Sequence, residues 1–251
     1  MTPLEWTGTP RLRTAIAPHA RWLTAVQLWR PEGADELITG DVETAVVLLS
    51  GTFDLSAGAT AWPARGSRST PLQGRPMAVF LPKQTTFRAH NGSGEILLVA
   101  ARQPAAPAVT GREALSQKPL LPMAGSGKAF DPATGEWLPA EAFPSAAESL
   151  PPRRFERFTV GACTVERVFA PSYKAATLSL DEVIVPAGQT LRVAEIPGRP
   201  RCDEVCVFVR DDRGDRVSVT SGTGDDAAVT APANAPAYVV LAYAGKPASG
   251  S

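Results

Sequence analysis

A chain of 251 residues is long enough for one large domain or for two domains of about 100 residues each, with ample core in either case. Its 25 Lys and Arg balance 25 Asp and Glu for a formal net charge of +0, and no basic stripe interleaved with aromatics occurs, which sets nucleic acid aside as a partner. With 24 Pro and 21 Gly, and few segments of helical period, the 44% hydrophobic content belongs to short strands and many turns, so the chain reads as all-β.

No run of about 18 apolar residues occurs, and the N-terminal segment lacks an apolar stretch suited to a signal peptide, so no membrane partner is expected. The three cysteines, Cys163, Cys202 and Cys206, are odd in number and lack disulfide-framework spacing, which fits a reducing, cytoplasmic setting. Richness in Ala, Pro, Arg and Gly is a compositional mark of a GC-rich bacterial genome.

In chain order, residues 20–30 alternate as a strand, with Trp22, Thr24, Val26, Leu28 and Arg30 on one side, and Pro31 to Gly33 turn the chain. Glu43 to Leu49 is nearly continuously apolar, as in a strand buried on both faces. Ser50-Gly51 is expected to end it, and Phe53 to Ser56 to return as its hairpin partner. Met77 to Leu81, Thr85 to Ala89 and Glu95 to Ala101 continue the series, with Asn91-Gly92 as a hairpin signal. This spacing predicts one complete sandwich or barrel by about residue 104. Residues 103–152 show no sustained period and read as a connector, laid over a surface by Leu120, Leu121, Phe130, Trp137 and Phe143. A second β series follows: 155–160, 163–169, 176–185, 191–195, 204–209, 217–219 and 238–243.

The two series echo each other. Strand, Pro-x-Gly turn and acid-led strand recur as Leu28 to Gly33 with Glu43, and as Val183 to Leu191 with Glu204, which argues for two copies of one β module. That order resembles the cupins. The phrases ETAVVLLSGTFDLS, GRPMAVFLPKQTTFRAH and EILLVAARQPA are similar to the N-terminal half of the bicupin sugar isomerases, the family of 5-deoxy-glucuronate isomerase and 5-keto-4-deoxyuronate isomerase. VGACTVERV, DEVIVPAGQTL, DEVCVFV and YVVLAYAG extend the resemblance into the second half. It implies a bicupin: two double-stranded β-helix barrels, residues 1–104 and 153–251, joined by the connector 105–152. A homodimer through barrel edges is compatible with it.

The resemblance also implies a divalent metal in the second barrel, held by H-x-H, a Glu and a later His. Where H-x-H would lie the chain reads VAEIPGRPR, between Val193 and Arg201, and TAPANAPAY, from Thr230 to Tyr238, stands where the late His would fall. The only histidines are His19 and His90, both in the first half, and Glu204 alone stands at a family position. One carboxylate does not hold a catalytic metal, so no metal and no cofactor are expected. Cys202 and Cys206 would sit ~13 Å apart on one strand, too far to share an ion, and Cys206 is expected in the core.

Glu204 opens a buried strand, and such a carboxylate points either into the barrel mouth or at a nearby arginine, for which Arg192, Arg199 and Arg201 are close in sequence. Left in an apolar mouth, it is the candidate catalytic acid or base, with Arg192 and Arg201 holding an anionic or enolate oxygen and Tyr238 shaping the pocket. Tyr238 and Tyr243, five residues apart, should face opposite sides. The expected function is metal-independent proton transfer, of isomerase or cyclase type, on a small-molecule carbonyl substrate in specialised bacterial metabolism. A non-catalytic binding module, a pseudoenzyme with filled barrels and a genuine sugar isomerase are the rival readings.

Overall fold

The computed structural model describes residues 1–33, 35–58, 60–74, 76–102, 156–169, 177–200 and 202–245, together with the backbone of two strands within 128–139. The first series comprises β1 (Thr2–Leu4), β2 (Thr7–Gly8), β3 (Leu12–Ile16), β4 (Leu23–Trp29), β5 (Asp35–Ile38), β6 (Val42–Ala57), β7 (Thr60–Arg65), β8 (Ala78–Leu81) and β9 (Thr86–Arg102). β10 (Lys128–Asp131) and β11 (Glu136–Pro139) follow. The second series comprises β12 (Glu156–Val160), β13 (Cys163–Phe169), β14 (Leu178–Val185), β15 (Thr190–Arg192), β16 (Glu204–Asp211), β17 (Gly214–Ser221), β18 (Ala228–Thr230) and β19 (Ala237–Ala244). Among the described residues no helix is long and apolar enough to cross a membrane.

Met1–Gln103 and Ala146–Ser251 make one compact unit, and Pro104–Ser145 makes another. Within the second unit β10 and β11 pair antiparallel with Phe130 opposite Trp137, so a hairpin stands inside the stretch read from sequence as aperiodic connector. Leu120, Leu121 and Phe143 lie outside the described residues, as do the side chains of Phe130 and Trp137.

In the large unit the first series forms a sheet in the order β2-β3-β4-β9-β6-β7, with β5 on β9 and β8 on β6. The second forms β1-β17-β16-β19-β14-β13-β12, faced by the pair β15-β18. β1 comes from the extreme N-terminus yet extends the second half's sheet, with Thr2 opposite Val219.

Period-2 alternation explains the continuous apolar runs. In β6, Val46 and Leu48 fill the first barrel, while Ala45, Val47 and Leu49 face the second half. In β14, Val183 and Val185 fill the second barrel, while Leu178 and Leu180 face the first. The two barrels therefore share a third apolar core, built around Phe80, Phe169 and Phe208.

Two expected turns do not occur. β6 runs on through Ser50-Gly51 and β9 through Asn91-Gly92, and the two strands stay paired past irregularities at Leu48/Ser50 and Thr52/Asp54. The hairpin partner of β6 is β7. The glycines serve close contact between these strands: a Cβ on Gly51, at φ 86°, would lie 1.8 Å from the Ser93 carbonyl oxygen, and one on Gly92 1.9 Å from that of Thr52. Gly92→Ala should cost about 2–4 kcal/mol, read from the urea midpoint, whereas Gly40→Ala, with open space around it, should cost only about 1 kcal/mol for its left-handed backbone.

Reciprocal contacts lock the barrels together. Glu43, at the start of β6, accepts hydrogen bonds from the backbone N–H groups of Thr177 (2.7 Å) and Leu178 (2.6 Å) at the start of β14. Glu204, at the start of β16, accepts them from Arg21, Trp22 (2.9 Å) and Leu23 (2.9 Å) at the start of β4. The acid-led strands read as a sequence repeat are thus two copies of one clasp.

Candidate functional site

The sheet formed by β13, β14 and β19 carries polar groups on both faces. On the barrel face, Arg167 donates from Nε to Asp181 (3.2 Å), and the Tyr243 hydroxyl donates to the other Asp181 oxygen (3.1 Å). All three side chains are buried, Asp181 to 1% exposure. They lie where they do because Arg167 keeps register with Cys163 and Val165, Asp181 with Val183, and Tyr243 with Leu241, all filling the second barrel. Arg167 also donates to the Pro197 carbonyl (2.8 Å), pairs with the exposed Glu156 (3.2 Å) and lies over the Phe158 ring. Segment 193–200 thereby seals this end of the barrel, with the buried Val193 and Ile196 turned inward.

Burial pushes the Asp181 carboxyl above the usual carboxylate range, against the lowering pull of Arg167 and Tyr243. Burial, reinforced by Asp181, pushes the Tyr243 phenol well above its usual value. The Cys202 thiol, which borders the same core, is pushed up to about 11 by burial, and Cys206 to about 12. Neither thiol is a nucleophile at neutral pH. Cys206 is a core residue, as expected.

On the opposite face Arg68, from the loop between β7 and β8, makes a bidentate pair with Glu182 (2.8 and 3.1 Å). Tyr238 lies there too, beside a narrow cavity of about 20 Å³ that Glu166 also lines, room for about one water molecule.

The sequence-predicted site does not assemble. Glu204 faces the shared core because Val205, Val207 and Val209 take the barrel positions of β16 and it is one residue out of phase. Its partners are backbone N–H groups, neither a barrel mouth nor an arginine. Arg192 is out of phase with the buried Leu191 and points to solvent, 3.9 Å from Glu195. Arg201 lies outside the described residues. Tyr238 does face away from Tyr243, but toward the other barrel. Sequence reasoning missed Arg167 and Asp181, although the same alternation that separates Tyr238 from Tyr243 would have placed both in the barrel.

The family's metal does not fit these residues. Val193 and Ile196 fill the barrel where H-x-H would project, and the Glu204 carboxylate is turned away onto three backbone amides. Among the described residues no three or more His, Cys, Asp or Glu side chains are grouped to hold an ion.

Two sealed β-barrels in one chain, packed through a common core, define a bicupin. Residues 20–117 match the KduI/IolB family, which bears out over that stretch the resemblance to the bicupin sugar isomerases. Among solved structures the chain is similar to an IolB-like protein from Salmonella typhimurium, at 14% identity and a TM-score of 0.57 over 98% of this chain and 92% of that one. It is also similar to GK1651 from Geobacillus kaustophilus, at 10% identity and a TM-score of 0.52 over 100% and 96%. Quercetin 2,3-dioxygenase from Acinetobacter baumannii, at 9% identity and a TM-score of 0.52 over 98% and 78%, shares the fold. These identities speak for the fold alone. No curated protein matches the chain in sequence.

Proposed function

We propose that the protein is an isomerase-type enzyme of specialised bacterial metabolism that moves a proton on a small carbonyl compound without a metal, at the Asp181 end of the second barrel. The observation that carries this is a fully buried carboxyl whose pKa is raised and which is tied to one phenol and one guanidinium. A carboxyl whose hold on its proton is strengthened by burial is suited to take and return a proton α to a carbonyl. Arg167 would balance charge on the enolate oxygen, and Tyr243 would hold the carboxyl in orientation. Substrate entry requires segment 193–200 to release Arg167 from the Pro197 carbonyl.

The test is exchange of solvent deuterium into a panel of keto- and 5-deoxy-uronates, followed by proton NMR in the presence of a chelator. Exchange should persist without metal, fall at least about 100-fold in Asp181→Asn and about 10-fold in Tyr243→Phe, and be unchanged in Arg192→Ala. Loss of exchange on chelation would return the chain to metal chemistry. Exchange equal in Asp181→Asn and wild type would remove Asp181 from the reaction.

The filling of both barrels by side chains favours a second reading, a structural pseudoenzyme. A wild-type protein that neither exchanges deuterium into any uronate of the panel nor gains thermal stability from one would favour it.

A further inference from the structure

The cleft on the other face of β13 and β14 has no part in that reaction, and its chemistry is unusual for a structural seam. Glu166 and Glu182 stand directly opposite each other on neighbouring antiparallel strands, an arrangement that repels unless cations balance it. Arg157, on the adjacent strand, answers Glu166. The cation answering Glu182 is not local: it is Arg68, on the segment Gly66–Gly74 of the other half. That segment is a strap over the cleft. Its buried residues are Arg68 and Pro71, and both line the cavity with Thr164, Glu166, Glu182 and Tyr238. The guanidinium is gripped as a ligand would be, forked onto Glu182 and 5.7 Å from the centre of the Tyr238 ring. The Tyr238 hydroxyl is fully buried and near Glu182 and Arg68, yet it makes no hydrogen bond of acceptable geometry.

We propose that this cleft is a binding site for small alkylguanidinium compounds, which Arg68 and Pro71 occupy from within while the strap is down. A planar, forked cation is specified over an ammonium because Glu182 receives two parallel N–H groups and the ring offers a flat face. A ligand carrying a polar atom beside its guanidinium would also engage the Tyr238 hydroxyl. Because Arg68 is tethered, its effective concentration is on the order of millimolar or above, so in wild type a minimal ligand occupies only the small fraction of molecules whose strap is lifted, and it fills the site fully when Arg68 is removed.

The experiment is a thermal-shift titration with methylguanidinium, and with methylammonium in parallel, on wild type, Arg68→Ala and Arg68→Ala/Glu182→Gln. Methylguanidinium at about ten times its Kd should raise the Tm of Arg68→Ala by about 3 °C and leave the other two within about 1 °C. Equal shifts in all three proteins, equal shifts from methylammonium, or no shift in Arg68→Ala would overturn the proposal. If Arg68→Ala does not fold, Arg68→Met keeps the buried stem and takes its place. In wild type, hydrogen exchange at the Gly51 amide, which donates to the Arg68 carbonyl (2.9 Å), reports strap lifting. Methylguanidinium should accelerate that exchange relative to methylammonium and do so less in Glu182→Gln, and exchange indifferent to both would overturn the strap's role.

Discussion

Glu204→Ala is expected to lower stability by about 3–5 kcal/mol, and Glu43→Ala by about 2–4 kcal/mol. Each substitution strands buried backbone donors, Trp22 and Leu23 in one case, with the part-buried Arg21 amide beside them, and Thr177 and Leu178 in the other. Glu204→Gln should recover less than half, since an amide keeps one acceptor oxygen but turns an NH₂ group toward the remaining N–H donors. Urea unfolding monitored by tryptophan fluorescence measures these losses, and the m-value checks that both barrels still unfold together. Glu204→Gln also separates a joining role from a catalytic one. A structural clasp predicts activity that follows the folded fraction, whereas an acid or base at Glu204 predicts lost turnover with stability nearly intact.

Much of the fold was legible because alternation is a local property. The β13 run from Cys163 to Phe169 and the doubly buried run at Glu43 to Leu49 follow from residue type and period alone. The failures at Ser50-Gly51 and Asn91-Gly92 share one cause. Gly beside a small polar residue signals a turn in isolation, but here the missing Cβ atoms let two long strands pass within contact distance, which only the partner strand reveals. Likewise β1 gives no sign in its own three residues that it will leave its series for the second sheet.

The site was less legible, although the information was local there too. Glu204 drew notice as an acid heading an apolar strand, yet the phase of that strand already put Val205, Val207 and Val209 into the barrel and Glu204 out of it. Counting the same phase through VGACTVERV and DEVIVPAG selects Arg167 and Asp181. What no phase could supply is the partner of Glu204, because three amides from about 180 residues away are not visible as side-chain chemistry. Arg68 is hidden in the same way, since a surface-loop composition surrounds a residue that the fold buries.

Arg167→Met should cost about 3–5 kcal/mol at neutral pH, because it leaves Asp181 buried without its cation. The loss depends on pH with a definite sign. In wild type the folded Asp181 pKa already lies above the ordinary carboxylate value, so its contribution to stability is complete below the unfolded pKa and fades as pH rises through the folded one. Without Arg167, the first of the influences that oppose burial, the folded pKa climbs further. Between the wild-type and variant values only the wild type carries the charge in the folded state, and the penalty grows by up to about 1.4 kcal/mol per pH unit. Urea midpoints should therefore differ more between variant and wild type at about pH 8 than at about pH 5. Adding Asp181→Asn should restore part of the stability at the higher pH and remove most of the pH dependence, as expected when the cost is a stranded charge and not lost packing around the Arg167 stem. A loss that is the same at both pH values and survives in the double variant would assign the effect to the contact with Phe158 and to the seal on Pro197, and would leave Asp181 neutral across the range in which the proposed proton transfer must work.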